Sequence, residues 1–223
     1  MNFMKYFFSA LLFVFAAQLF AQQKTSQTKH LPFETIYFAG VQFNNASNLN
    51  RILKDYDSGK VPGFGWNAGA GLAYRMKQTL IGVNFSLSTS SKNDNTMNTG
   101  DFTVYVSTNA IRTGRLIFSP QLGVGTQSTT FTVQKKNLNG EFGDFLTTQS
   151  NQTKMEHDAA IVDLSITLKT SNSERTSFRP ECRIGYKSSI AQNEWKVVNA
   201  AVSNVPKDRL GHFYLQLAWG IGR

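Results

Sequence analysis

The stretch of this sequence best equipped for chemistry is Met155-Glu-His-Asp158, where an imidazole lies between two carboxylates. Such a trio can serve as a general base beside lipid, as a metal contact, or simply as solvated loop residues. A hydrolase needs a nucleophile, a base and an orienting group within reach of one another. The other two imidazoles are His30 and His212, and local spacing offers His212 no Ser, Asp or Glu partner. Cys182 is the only cysteine, which excludes an internal disulfide and metal sites built on paired cysteines. No phosphate-cradling loop or metal-ligand spacing appears. The glycines of Gly63-Phe-Gly-Trp-Asn-Ala-Gly-Ala-Gly71 occupy alternate positions, as in a strand, and do not mark a strand-to-helix turn. The residues therefore suggest no catalytic group, no metal and no cofactor.

A second charged set matters only if it is enclosed. Arg75, Asp163, Arg179, Glu181, Arg183 and Lys187 all alternate with apolar side chains, so the elements that carry them decide their role. Those elements have a period of two. Phe213, Leu215, Leu217, Trp219 and Ile221 share one face, opposite Tyr214, Gln216, Ala218, Gly220 and Gly222. Ile81, Val83, Phe85 and Leu87 oppose Gly82, Asn84, Ser86 and Ser88; Phe64, Trp66, Ala68, Ala70, Leu72 and Tyr74 oppose Gly65, Asn67, Gly69, Gly71 and Arg75. Val162, Leu164, Ile166 and Leu168 oppose Asp163, Ser165 and Thr167. Weaker alternation over 33–44, 101–110, 116–133 and 176–189 brings the candidates to eight strands.

Residues 1–21 are set apart from these strands. Lys5, an apolar run from Tyr6 to Ala17 and a small residue before Gln22 describe a secretory signal peptide, too short for a spanning helix. Residues 22–32 then form an N-terminal periplasmic tail, and 33–223 one domain. The net charge of +9 is spread along the chain. In an exported protein it points away from nucleic acid, toward lipid headgroups, lipopolysaccharide phosphates or a solvated surface.

Connection lengths alternate as well. Lys77-Gln78, Arg112-Thr113-Gly114 and Ser171-Asn172-Ser173 read as tight turns, while 45–62, 90–100, 134–155 and 190–210 read as long polar loops. Short turns at one end and long loops at the other describe a transmembrane barrel with both chain ends on the periplasmic side. Leu49, Ile52, Leu53 and Tyr56 have helical spacing after Ser47 and Asn48, and Trp195, Val198 and Val202 do so after Asn193. Each pattern fits a short helix over the barrel mouth or an irregular loop. Phe118-Ser-Pro-Gln-Leu-Gly-Val-Gly125 parallels Phe178-Arg-Pro-Glu-Cys-Arg-Ile-Gly185, with a proline near the start of each strand, where a strand end or bulge can absorb the missing donor.

Alternation alone leaves the inward face undecided between a membrane barrel and a soluble, lipocalin-like one. The polar face is mostly Gly, Asn, Ser, Gln and Ala, which suits the crowded lumen of eight strands better than a wetted exterior. Aromatics near strand ends, Phe64, Trp66, Tyr74, Phe213 and Trp219 with Phe33, Phe43, Phe102, Phe118 and Phe178, suit interfacial girdles. The charged set then becomes an interior ion-pair network. A turn centred near Ser173 places Asp163 opposite Arg183 with Glu181 diagonal to Asp163. Its role is to fill the lumen, or to gate a solute path.

The leader, the eight alternating strands, the Phe-x-Pro-Gln/Glu strand starts and the closing Phe-Tyr-Leu-Gln-Leu-Ala-Trp-Gly-Ile-Gly-Arg resemble the small outer-membrane β-barrel proteins of Gram-negative bacteria, the OmpA-like and porT-like barrel domains. The resemblance implies residence in outer-membrane lipid and lipopolysaccharide. It also implies insertion by the barrel assembly machinery through a last strand that often ends in an aromatic residue, where this chain has Arg223. It implies a structural or surface-binding role, against the alternatives of a lipid-modifying barrel enzyme or a soluble periplasmic ligand-binding barrel.

Overall fold

The computed structural model describes residues 33–55, 59–76, 78–134, 152–170, 178–198 and 205–222. The leader, the N-terminal tail, the turn at Ser171–Ser173 and Val202 lie outside them. The elements are β1 (Phe33–Asn45), α1 (Ser47–Asp55), β2 (Phe64–Met76), β3 (Thr79–Lys92), β4 (Asn95–Thr108), β5 (Ile111–Thr113), β6 (Leu116–Gln134), β7 (Gln152–Thr170), β8 (Phe178–Ser189), β9 (Asn193–Glu194), β10 (Lys196–Val197), β11 (Lys207–Asp208) and β12 (Gly211–Gly222). Eight of these are staves in the order β12-β1-β2-β3-β4-β6-β7-β8, each antiparallel to its neighbours, and β8 pairs back to β12. The ring is closed, so no long edge is left unpaired.

Its surface is inverted relative to a soluble domain. Trp66, Leu122, Val124, Leu164, Ile184, Phe213 and Leu217 are exposed, whereas Asn84, Asp101, Gln121, Gln127, Asp163, Arg183, Lys187 and Gln216 are buried in the lumen. The outward apolar run goes from Leu116 to Val124 on β6 and from Ala160 to Leu168 on β7. Nine residues of tilted strand rise about 23 Å, close to the apolar band of a membrane barrel. A soluble ligand-binding barrel is ruled out by this face, since no water-soluble monomer exposes such a continuous apolar belt.

Above the belt the parity keeps its phase and the polarity reverses. Thr126, Ser128, Thr130 and Thr132 now face out on β6, while Phe131 and Val133 are buried inside. They join Met97, Met155, Ala46, Leu49, Leu53, Val61, Trp195 and Leu210 in one apolar cluster across the outer mouth. A smaller cluster of Ile36, Phe38, Ala73, Leu80, Tyr105 and Ala218 fills the end near the tight turns.

Three connections differ from the sequence reading. The expected loop at 90–100 is a tight hairpin, because Asn93 and Asp94 adopt positive φ values of 49° and 66° and let β3 and β4 pair as far as Lys92↔Asn95. Both central residues at positive φ match a type I′ turn, whose twist suits flanking strands. Secondly, the 190–210 segment forms no helix among its described residues. β8 ends its pairing with β7 at Ile161↔Ser189, and Lys196–Val197 takes over that edge opposite Met155–Glu156. The open ladder of β7 offers hydrogen bonds that a helix there would forgo. Thirdly, β7 begins at Gln152, so the 134–155 loop is shorter than its polarity suggested. The other helix forms as α1.

Both prolines fall where a ladder is interrupted. Ser107 pairs with Gln121 and Ile111 with Phe118, so three residues stand opposite Ser119 and Pro120 in a bulge. Pro180 sits one residue beyond Lys169↔Glu181, the last pair between β7 and β8.

Candidate functional site

The lumen is crossed by polar contacts between staves that are not neighbours. Lys187 Nζ on β8 donates to Asp101 Oδ1 on β4 at 2.6 Å, and Ser86 Oγ on β3 donates to Asp101 Oδ2 at 2.6 Å. Tyr214 OH donates to Asp163 Oδ1 at 2.7 Å, and Lys187 Nζ lies 5.5 Å from the centre of the Tyr214 ring. Arg183 lies over the Phe38 ring at 5.6 Å and donates from Nε to Thr167 Oγ1 at 3.4 Å. Nearer the tight turns, Lys169 pairs with Glu181 at 3.3 Å, and Arg75 pairs with Glu34. Gln216 Nε2 donates to Asn67 Oδ1 across β1 at 3.0 Å.

Of the charged residues singled out from sequence, Asp163, Glu181, Arg183 and Lys187 are buried and Arg75 is half-buried. Arg179 pairs through its backbone with Gly220, and its side chain lies outside the described residues. The partners differ from the expected ones. Asp163 faces Lys187, not Arg183, which faces Thr167; Glu181 faces Lys169. The register is displaced by four residues along β8, an even number, so every side chain stays on its expected face. The sequence argument assumed a tight turn at Ser173, and turn length alone sets hairpin register. Sequence reasoning missed Glu34, Asp101, Lys169 and Tyr214. Tyr214 already lay on the polar parity of the last strand, and Asp101, next to the outward Phe102, was open to the same test.

Several large lumen groups lie against a glycine of the adjacent wall. A Cβ on Gly185 would come within 2.5 Å of the Tyr214 phenol and 2.6 Å of Ser165 Cβ. The small residues of the polar face are thus the recesses that admit the large ones.

The five aromatics expected from sequence to form a girdle lie on the outward parity of their strands. Phe64, Trp66, Tyr74 and Phe213 are exposed and Trp219 is half-buried beside Tyr37 and Pro180.

The crown over the outer mouth is held by Asp208. Its carboxylate accepts the backbone N–H of Asn48 at 3.0 Å and of Leu49 at 2.8 Å, capping the start of α1, and the Trp195 indole N–H at 3.2 Å. Its carbonyl lies 3.2 Å from His157 Nε2. His157 is therefore buried in the crown, 5.0 Å from the centre of the Trp195 ring, and is not turned to lipid. Of its flanking acids, Glu156 pairs with Lys154 at 2.8 Å and Asp158 faces outward. The inward parity of β7 separates the imidazole from both carboxylates, so the trio does not converge on one site. His212 is buried as well, opposite Asn44 and Lys187.

A closed antiparallel ring with an apolar exterior and a charged, filled lumen defines a transmembrane β-barrel of the outer-membrane type. No family model and no curated protein matches the sequence. Among solved structures the chain is similar to Neisserial surface protein A, at 12% identity and a TM-score of 0.49, covering 84% of this chain and 96% of that one. It is also similar to Ail, the attachment invasion locus protein of Yersinia pestis, at 12% identity and a TM-score of 0.42, over 84% and 98%. A third is the outer membrane protease OmpT of Escherichia coli, at 8% identity and a TM-score of 0.43, over 90% and 100%.

Proposed function

We propose that this barrel is a sealed membrane support for its extracellular crown, with a structural or surface-binding role and no solute path through the lumen. The observation that carries this reading is the contact of Lys187 with Asp101 and Ser86, which joins β8 to β3 and β4 across the lumen beneath the crown. An ion pair there occupies the axis of a barrel whose interior side chains already just fill it. The charge network is accordingly a filling, in which each buried charge is retained because its partner is buried too.

The crown supports the other half of the reading. It has a soluble-type core of its own, with Trp195 and Phe131 fully buried, and it is the part presented to the medium. The belt keeps the barrel in outer-membrane lipid and lipopolysaccharide. Insertion by the barrel assembly machinery belongs to the same reading, supported by the alternating closing strand from Phe213 to Trp219.

Planar-bilayer recording tests the proposal. The purified barrel is expected to give no stepwise conductance. A steady, size-limited ion or sugar flux through the wild-type protein would show that the lumen is a path and refute the sealed-support reading.

A further inference from the structure

We propose that the crown binds one soft monovalent metal ion, Cu(I), through His157 Nδ1 and the thioether sulfurs of Met155 and Met97. The site lies in the apolar cluster of the outer mouth and does not rest on the sealed-support reading.

His157 carries the first observation. Its side chain is fully buried, and its Nε2 lies 3.2 Å from the carbonyl oxygen of Asp208, a group that can only accept. Nε2 therefore bears the proton, which leaves the lone pair of the neutral ring on Nδ1. That atom is buried and has no hydrogen-bond partner. The hydroxyl of its cross-strand neighbour Thr129 is engaged with Thr99 at 3.2 Å. An imidazole with its N–H fixed on a backbone carbonyl and its other nitrogen bare has the arrangement of a metal-ligating histidine.

Sulfur is the second observation. Met155 precedes His157 by two residues on β7, so both side chains point inward, about 7 Å apart along the strand. Met97 enters from β4, because Phe131 on β6 pairs with Met97 on one side and with Met155 on the other. Both methionines belong to one buried cluster with Phe131 and Trp195. The Trp195 ring centre is 5.0 Å from that of His157 and 6.3 Å from that of Phe131, which ties the imidazole to the thioether cluster. Methionine is unbranched with three rotatable bonds, so its sulfur can turn to an ion without backbone movement.

Charge and ligand type select the ion. The Asp208 carboxylate is fully buried, and among the described residues it accepts from the N–H groups of Asn48, Leu49 and the Trp195 indole. No ion pair among the described residues includes it. A single positive charge in the same cluster balances this buried negative one, whereas a divalent ion would leave an excess. No group of three His, Cys, Asp or Glu among the described residues could hold a metal, while thioether with imidazole suits Cu(I). The Trp195 ring adds its own attraction for a neighbouring cation. The acids that flank His157 in sequence take no part, since Glu156 pairs with Lys154 and Asp158 faces outward.

Competition with bicinchoninate, a chromophoric Cu(I) chelator, tests this on the full barrel in detergent, under ascorbate and without oxygen. Wild type should withdraw one Cu(I) per barrel. Met97→Leu with Met155→Leu, which conserves core volume, should weaken binding by roughly a hundredfold or more, and His157→Gln by as much. Met76→Leu, on the last residue of β2, should leave binding unchanged. Heat-modifiable gel mobility establishes that each variant is folded. Ag(I) supplies a redox-inert probe. With Trp66→Phe and Trp219→Phe, it should quench the remaining Trp195 fluorescence at one equivalent, and an equal concentration of Zn(II) should not reverse the quenching. Failure of wild type to withdraw Cu(I) overturns the proposal. So does equal withdrawal by the double methionine variant, or displacement of Ag(I) by Zn(II). These readouts do not depend on whether the lumen conducts, so their failure and that of the sealed-support reading are separable.

Discussion

At the scale of single residues, the lumen is governed by the cost of leaving a buried charge alone. Lys187 and Asp101 are both buried and 2.6 Å apart. Asp101→Ala would strand the ammonium and is expected to destabilise the barrel by about 3–5 kcal/mol. Replacing both by Met and Leu should cost much less, because no unpaired charge remains. Urea unfolding in lipid vesicles, followed by Trp fluorescence, measures the difference. Space is the second constraint. Gly185→Ala forces its methyl against Tyr214 and Ser165 and is expected to cost about 1–3 kcal/mol in the same assay. Asp208 is a third case, because its carboxylate serves two helix N–H groups and an indole. Asp208→Ala should weaken the crown by about 1–2 kcal/mol. The expected readout is faster protease cleavage near α1 with unchanged heat-modifiable mobility of the barrel.

At the scale of elements, the strands are simpler than their connections. Asn93 and Asp94 hold left-handed backbone without being glycine. Asp94→Gly should therefore stabilise the β3–β4 hairpin modestly, and Asn93→Pro should disrupt it, since proline cannot take positive φ. Hydrogen exchange of amides near Lys92 and Asn95 reads both outcomes. The β6–β7 hairpin shows how one strand serves two media. Its inward residues are Ser119 and Gln121 at membrane depth and Gln127, Thr129, Phe131 and Val133 above it, while the outward ones change from Leu122 and Val124 to Thr126 and Ser128. The alternation is uninterrupted, and only the identity of the surrounding medium changes.

At the scale of the molecule, two layers with opposite polarity are joined on the same staves. The lower layer turns apolar groups to lipid and fills its lumen with charge. The upper layer has an apolar core, α1 docked on it, and polar groups toward water. On the proposed sealed reading the lumen serves stability and interaction falls to the crown. Breaking the Lys187–Asp101 pair should therefore lower stability before it yields any conductance in the planar bilayer.

Strand identity and parity were legible in the sequence because a membrane barrel forces a strict period of two on every stave, with lipid on one face and a packed lumen on the other. Phe64 to Tyr74 and Ile81 to Leu87 show this without reference to any partner. The outward direction of the apolar face was argued from the small residues opposite it and the aromatics near strand ends, and the exposed apolar belt around a buried polar lumen settles it. Register is different in kind. The four-residue displacement of β8 against β7 leaves every face unchanged, so alternation carries no trace of it, and only contacts from β4 and β12 to Lys187 and Asp163 reveal which charges meet. Likewise the spacing of Trp195 and Val198 fits a helix in isolation. The free edge of β7 and the buried carboxylate of Asp208 give that segment its extended course and turn His157 inward. Local pattern determined which residues alternate; closure of the ring decided which of them touch, because partners on different staves are brought together only when the last strand pairs with the first.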